Sequence, residues 1–285
     1  MHDDEVDTDP SLVRRLLAAQ FPQWADLPIE PVLPLGTDNA NYRLGEDLLA
    51  RLPRHAPSAK PLEIEQRWLP YLAPHVPLAV PVPLAAGEPG ESFPFAWSVC
   101  SWVDGEPATL DGLDPEQAAR DLAAFVLTLR AIDPDGAPIS YRGGPLAERD
   151  GGTRASIAVL GDDALLEAWE GALAAPAWEG PPVWVHGDLD LRNLLFGDGR
   201  LAGVLDWGCT GIGDPACDVA AAWKVVPVPA RGLFRELLDV DDATWARARG
   251  WVLHQCAMAL PYYTPENNAA LYFEAQRWLR EALAG

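Results

Sequence analysis

The sequence predicts an α+β protein in two parts. A small β-rich N-terminal lobe occupies residues 1–103, a larger and mainly helical C-terminal lobe occupies 104–285, and a cleft lies between them. Three observations predict this. Short extended runs separated by Gly, Pro and Asn turns dominate the first hundred residues. Apolar residues at helical spacing dominate after Gly105. The chain has 285 residues, 49% apolar and 22% charged, enough for one large core or two smaller ones.

Taken in order, residues 11–20 predict a short helix with Leu12, Leu16 and Leu17 on one face and Ser11 as its cap. Two extended runs follow at 31–35 and 47–52. The segment between them starts and ends on glycine, is rich in Asn and Asp, and lets residues 42–44 pair as a strand. Residues 59–72 predict a helix burying Ile64, Trp68, Leu69 and Leu72, stopped by Pro74 and Pro77. Strands at 79–84 and 95–103 flank the turn at 87–90. Asp114 and Pro115 then open a helix in which Leu122, Phe125, Val126 and Leu129 share a face. Further helices are expected at 156–175, 216–225, 242–260 and 267–283.

A net charge of −21 excludes a general nucleic-acid binder, which needs clustered positive charge to displace counterions from phosphates. No stretch reaches the roughly 18–20 apolar residues of a membrane span. The acidic start, Met1-His2-Asp3-Asp4-Glu5, does not read as a secretory signal. The four cysteines show no zinc or disulfide spacing, so a cytoplasmic protein is expected. The sequence carries no signal for an oligomeric state.

The chemistry concentrates between residues 183 and 219. Two apolar runs, 194–196 and 203–205, flank Gly197-Asp198-Gly199 and predict a hairpin. Asp188 precedes Asn193 by five residues in the incoming loop, and Asp206 ends the outgoing strand. A carboxylate, an amide oxygen and a second carboxylate at one end of a ribbon suit Mg²⁺ and phosphate together, because magnesium takes hard oxygens from one or two protein groups and the rest from water and phosphate. Asn193 and Asp206 are the metal candidates. Asp188 is placed to accept a hydrogen bond from a substrate hydroxyl, as the aspartate of a kinase D-x-x-x-x-N loop does.

His186-Gly187-Asp188 with Asn193, then Val204-Leu205-Asp206-Trp207 and Gly213-Asp214-Pro215-Ala216-Cys217-Asp218, resembles the signature of the aminoglycoside phosphotransferase family. Gly36-Thr37-Asp38-Asn39 with Tyr42-Arg43-Leu44 is similar to that family's nucleotide-covering loop. The resemblance implies a protein-kinase-like two-lobed fold, ATP or GTP as donor with Mg²⁺, and nucleotide contact at Thr37 and Asn39. It also implies adenine-edge binding by the backbone from Ser101 to Val103, and phosphate binding by Arg51 with Glu65 as partner. Arg51 stands where a kinase usually has lysine, a tolerable change because a guanidinium grips phosphate with a two-pronged fork. Glu63 is the alternative partner.

His186 reads as a histidine packed beneath its loop rather than a proton shuttle. Asp214 and Asp218 read as cap and helix-start charge, and the resemblance implies that Asp214 braces the 186–193 loop. Trp207, Trp223 and Trp251 read first as core. The expected acceptor is a small hydroxylated molecule, with a cationic aminoglycoside favoured by the acidic composition and Asp190, Glu266 and Glu274 as candidate cation contacts. A macrolide is the alternative, served by Trp251, Tyr262 and Tyr263. Gly187 and the absence of an A-P-E segment after Asp206 disfavour a protein kinase. The complete Asp188, Asn193, Asp206 set disfavours a non-catalytic relative.

Overall fold

The structure is a computed structural model that describes residues 5–33 and 38–285. The chain divides into two compact units: Met1–Gly105 with Gly203–Gly208, and Glu106–Ala202 with Cys209–Gly285.

In the first unit, helix α1 spans Pro10–Gln20. Its cap is Asp9 rather than Ser11: the Asp9 carboxylate accepts from Leu12 N at 2.7 Å, and Pro10 takes the first helical position, where no donor is needed. Strands β1 (Ile29–Pro31), β2 (Asn39–Leu44) and β3 (Leu48–Pro53) follow. The expected run at 31–35 is thus a strand shifted to 29–31, and its last two residues lie outside the described ones. Helix α2 is Ala59–Leu72, and β4 (Pro83–Gly87) and β5 (Trp97–Ser101) complete an antiparallel sheet ordered β1-β2-β3-β5-β4.

Strand register divides this sheet by chemistry. Asn41 opposes Arg51, and Arg51 opposes Ser98, so Asn39, Asn41, Arg43, Arg51 and Ser98 share one face. Ala40, Tyr42, Ala50, Leu52, Trp97 and Val99 share the other and pack with Leu12, Val13, Leu16 and Leu17 of α1. Each leucine so buried contributes roughly 1.5–3 kcal/mol. Helix α2 buries Leu62, Glu65, Leu69 and Leu72. Ile64 and Trp68 are only half-buried, because the buried stripe includes a carboxylate that an apolar count passes over.

The second unit begins with β6 (Glu106–Pro107) and α3 (Pro115–Ala131), capped by Asp114 through Gln117 N at 2.8 Å as expected. The helix expected at 156–175 is two, α4 (Asp150–Leu160) and α5 (Asp163–Leu173). Gly161 ends the first at φ +65°, and Asp162 caps the second. Next come β7 (Val183–Val185), β8 (Leu194–Gly197), β9 (Arg200–Val204) and β10 (Gly211–Gly213). Between β8 and β9, Asp198 and Gly199 both have positive φ, the conformation that a two-residue Asp-Gly hairpin turn demands. Helices α6 (Ala216–Val219), α7 (Ala221–Lys224), α8 (Arg231–Leu238), α9 (Asp242–Ala259) and α10 (Pro265–Ala284) finish the unit, α8 being unforeseen. Helix α9 is its centre, packing against α4, α5, α6 and α10. Trp207, Trp223 and Trp251 are buried core residues, which removes Trp251 as an acceptor platform. Among the described residues no helix is long and apolar enough to cross a membrane.

Candidate functional site

The predicted residues fall into two groups, one in each unit. In the first, Arg51 projects from β3 and its Nη1 donates to Glu65 Oε2 on α2. Both side chains are buried, and Glu63 is exposed, which settles the choice of partner. Burial would lower the Arg51 pKa, but Glu65, with Cys100 and Asp206, outweighs it and the guanidinium titrates above its ordinary value. The Glu65 carboxyl is raised, chiefly by burial, against the opposing charge of Arg51.

Glu65 has a second duty: its Oε1 accepts from Trp207 N at 2.9 Å. It thereby ties the strand carrying Arg51 to the residue after Asp206. Asp206 itself adopts φ +58°, a left-handed conformation uncommon outside glycine and best tolerated by Asp and Asn. Trp207 Nε1 donates to Val204 O at 3.0 Å, closing this bend from its far side.

Of the remaining nucleotide candidates, Thr37 lies outside the described residues. Asn39 and Asn41 carry buried side-chain oxygens with no hydrogen-bond partner among the described residues, on the sheet face that holds Arg51. Buried acceptors without donors are uncommon and mark this face as one that can receive a ligand. Asp38 serves locally, accepting from Ser58 Oγ at 3.4 Å. Ser101 exchanges two bonds with Val82, Oγ accepting and N donating, and Trp102 N donates to Asp47 O at 2.7 Å. Val103, the next residue, is buried.

In the second unit, the loop from β7 to β8 carries His186, Asp188, Asp190 and Asn193. It is fixed from beneath by Asp218, whose carboxylate oxygens accept from His186 N and Gly187 N, each at 2.8 Å. The expectation for Asp214 is corrected here. Asp214 accepts from Ala216 N at 2.9 Å as a cap and pairs with Arg247 at 2.7 Å, because it faces α9 rather than the loop. Burial raises the Asp218 carboxyl above its ordinary pKa, and the bonds to the loop oppose that rise. Gly187 turns at φ +83°, and a Cβ there would stand 2.9 Å from Cys209 O. His186 is fully buried, and its Nδ1 accepts from Asp188 N at 3.2 Å, the loop-packing role expected of it.

Asn193 Nδ2 donates to Asp188 O at 2.9 Å. This bond closes the loop through the amide nitrogen, and the amide oxygen accepts no hydrogen bond among the described residues. An amide oxygen is a hard ligand of the kind Mg²⁺ takes. Asp188 meets two cations that sequence reading missed. Arg142 Nη1 donates to its Oδ1, and Lys224 Nζ lies 3.4 Å from the same atom. Burial would raise the Asp188 pKa, but Arg142, Lys224, Arg192 and His186 together hold the carboxyl well below its usual range. Lys224 is one of only two lysines in the chain, and nothing in the sequence singled out Arg142.

Two of the three candidate cation contacts are engaged within the chain. Asp190 is fully buried, with Arg192 Nη2 at 2.6 Å and Lys224 Nζ at 3.9 Å, so it has no surface for an acceptor. Glu274 pairs with Arg277 at 2.6 Å. Glu266 is exposed in the first turn of α10, its carboxyl pKa lowered by the Thr264 hydroxyl.

Comparison with solved structures finds the same architecture. An aminoglycoside 2'-phosphotransferase-IIIa in complex with GDP superposes with a TM-score of 0.79 at 19% identity, covering 97% of this chain and 99% of that one. A macrolide 2'-phosphotransferase from Brachybacterium faecium superposes with a TM-score of 0.63 at 23% identity, covering 93% and 97%. At these identities the likeness carries the kinase-like fold. In sequence, an aminoglycoside 3'-phosphotransferase from Escherichia coli is 38% identical over 64 residues, a match spanning 19% of this chain and 24% of that protein's length. The phosphotransferase enzyme family matches residues 31–251. With most of its length matched and the Asp188, Asn193 and Asp206 positions inside that span, the chain belongs to the phosphotransferase enzyme family.

Proposed function

We propose that this protein transfers the γ-phosphoryl group of ATP or GTP to a hydroxyl of a small organic molecule. The observation that carries the reading is the 186–193 loop: Asp218 holds its backbone, Asn193 closes it, and Asp188 keeps one carboxylate oxygen unbonded among the described residues. In this reading Asp188 accepts the hydrogen bond of the acceptor hydroxyl. The acceptor oxygen forms a bond to the γ-phosphorus, the bond from phosphorus to the β,γ-bridging oxygen breaks, and the hydroxyl proton passes to Asp188 as the nucleoside diphosphate leaves. A carboxylate held below its usual pKa is a weak base. That suits a loose phosphoryl-transfer transition state, in which the base mainly orients and takes the proton late.

Arg51, set by Glu65, would bind nucleotide phosphate oxygens, with Asn39 and Asn41 on the same sheet face. Because Ser101 N and Trp102 N are already bonded, adenine-edge contact falls to Val103 and the carbonyls beside it. Asn193 and Asp206 would hold Mg²⁺, which when bound supplies neutralising charge for the phosphates.

The likeness to an aminoglycoside 2'-phosphotransferase and the acidic composition support an aminoglycoside acceptor. One observation favours the alternative of a weakly charged acceptor such as a macrolide: Asp190 and Glu274, offered by the sequence to a polycation, are neutralised by Arg192, Lys224 and Arg277. The test is incubation with Mg²⁺, ATP or GTP and a panel of aminoglycosides, macrolides and simple alcohols, read by mass. An acceptor gaining one phosphoryl group only with Mg²⁺ and nucleotide supports the proposal; no modified acceptor with either nucleotide opposes it.

A further inference from the structure

Phosphotransfer gives Asp188 a task but none to the cations around it. Arg142 and Lys224 converge on one atom, Oδ1, and Asp188 Oδ2 takes no hydrogen bond among the described residues. The Asp188 side chain retains 18% exposure, so the second oxygen is not sealed in the core.

Both cations are anchored. Lys224 is 2% exposed, and its carbonyl accepts from Arg277 Nη2 at 2.8 Å. Its ammonium also faces Asp190 Oδ2 at 3.9 Å and the Trp278 ring at 5.0 Å. An ammonium is kept in such a place only where anions and a π face replace its water. Arg142 lies on a segment stitched to the residues around β10. Ser140 Oγ donates to Cys209 O at 2.7 Å, Ser140 N donates to Ile212 O at 3.0 Å, and Asp214 N donates to Gly143 O at 2.8 Å. A Cβ at Gly213 would stand 2.3 Å from Gly143 O, so the two backbones are in direct contact. Arg142 Nη1 also donates to Gly187 O at 3.2 Å, gripping the loop one residue before Asp188.

An untethered carboxylate turns freely about its last torsion and offers either oxygen. Two cations on one oxygen remove that freedom. We propose that Arg142 and Lys224 are positioning residues for the transfer, tethering Oδ1 of Asp188 so that Oδ2 alone receives the acceptor hydroxyl. The inference rests on the phosphotransfer reading and deepens it. Alignment is where such residues matter, since a misplacement of about 1 Å can cost on the order of 100-fold in rate.

The experiment is a set of double-mutant cycles. Lys224→Met and Arg142→Met are each made in the wild type and in the Asp188→Asn background, with Arg142→Lys as the conservative variant; kcat, acceptor KM and nucleotide Kd are measured. Each methionine variant should lose kcat on the order of 10- to 100-fold with nucleotide Kd unchanged, and Arg142→Lys should recover part of the loss. In the Asp188→Asn background the same changes should cost less than about twofold, because their effect passes through the missing carboxylate. Equal losses in both backgrounds would show a general structural role and overturn the proposal. A crystal structure of Lys224→Met supplies a readout free of turnover: the Asp188 carboxylate should rotate or split between orientations. An unmoved carboxylate also overturns the tether, whereas a wild type inactive on every acceptor removes the phosphotransfer reading itself.

Discussion

Replacing Arg51 with methionine tests the buried pair beneath the proposed phosphate site through stability, without reference to any substrate. Glu65 would then be a buried carboxylate that the charge of Asp206 repels. Removing one partner of a buried pair costs about 3–5 kcal/mol when the survivor stays charged. Glu65 has an escape, because burial already raises its pKa and loss of Arg51 raises it further. A folded-state pKa above the unfolded value contributes stability that is present below the unfolded pKa, about 4.3, and is lost as pH rises through the folded one. The cost of Arg51→Met should therefore be small near pH 5 and grow toward the full figure by pH 8, at about 1.4 kcal/mol for each unit of further shift. The assay is urea unfolding of both proteins across that range. A cost that does not change with pH would refute the reasoning, as would one that shrinks on raising the pH.

Asp218→Ala leaves His186 N and Gly187 N without their carboxylate; at ~1.5–3 kcal/mol for each bond to a charged group, it should cost about 3 kcal/mol or more in unfolding free energy, and the milder Asp218→Asn should lower turnover while nucleotide affinity is kept. His254 has its pKa depressed to about 4, chiefly by burial, so stability should fall as pH drops from the unfolded value of ~6.5 toward 4, by up to ~3 kcal/mol; His254→Asn should flatten that limb of a thermal-unfolding profile, and an unchanged limb would count against it. Because Asp190 and Glu274 are paired within the chain, acceptor KM should change little as the Debye length falls from ~10 Å at 0.1 M salt to ~3 Å at 1 M; a steep rise for an aminoglycoside would restore the polycation reading.

What the sequence reveals here depends on how local the signal is. The Asp198-Gly199 turn, the Asp114 cap and the helix at 59–72 follow from neighbouring residues, and the structure has them where expected. The split at Gly161 is also local, but the flanking apolar residues read as continuous. Asp188, Asn193 and Asp206 were conspicuous in the sequence because their spacing is short and their residue types are unusual together. Arg142 was not: it is 46 positions from Asp188, and an arginine in a Gly- and Pro-rich loop has no periodicity to betray its partner. The exchange of Asp214 for Asp218 has the same cause. Two aspartates four positions apart are equivalent on paper, and only the fold decides that one faces Arg247 and the other the 186–193 loop.

The central claim is that Asp188 presents an acceptor hydroxyl to a nucleotide phosphate. Its most direct test is transfer of labelled γ-phosphate to a confirmed acceptor by the wild type and by Asp188→Asn, with nucleotide affinity measured on the same samples. The account predicts turnover lowered on the order of 10²- to 10⁴-fold with nucleotide binding nearly intact. Wild-type turnover in Asp188→Asn would contradict it.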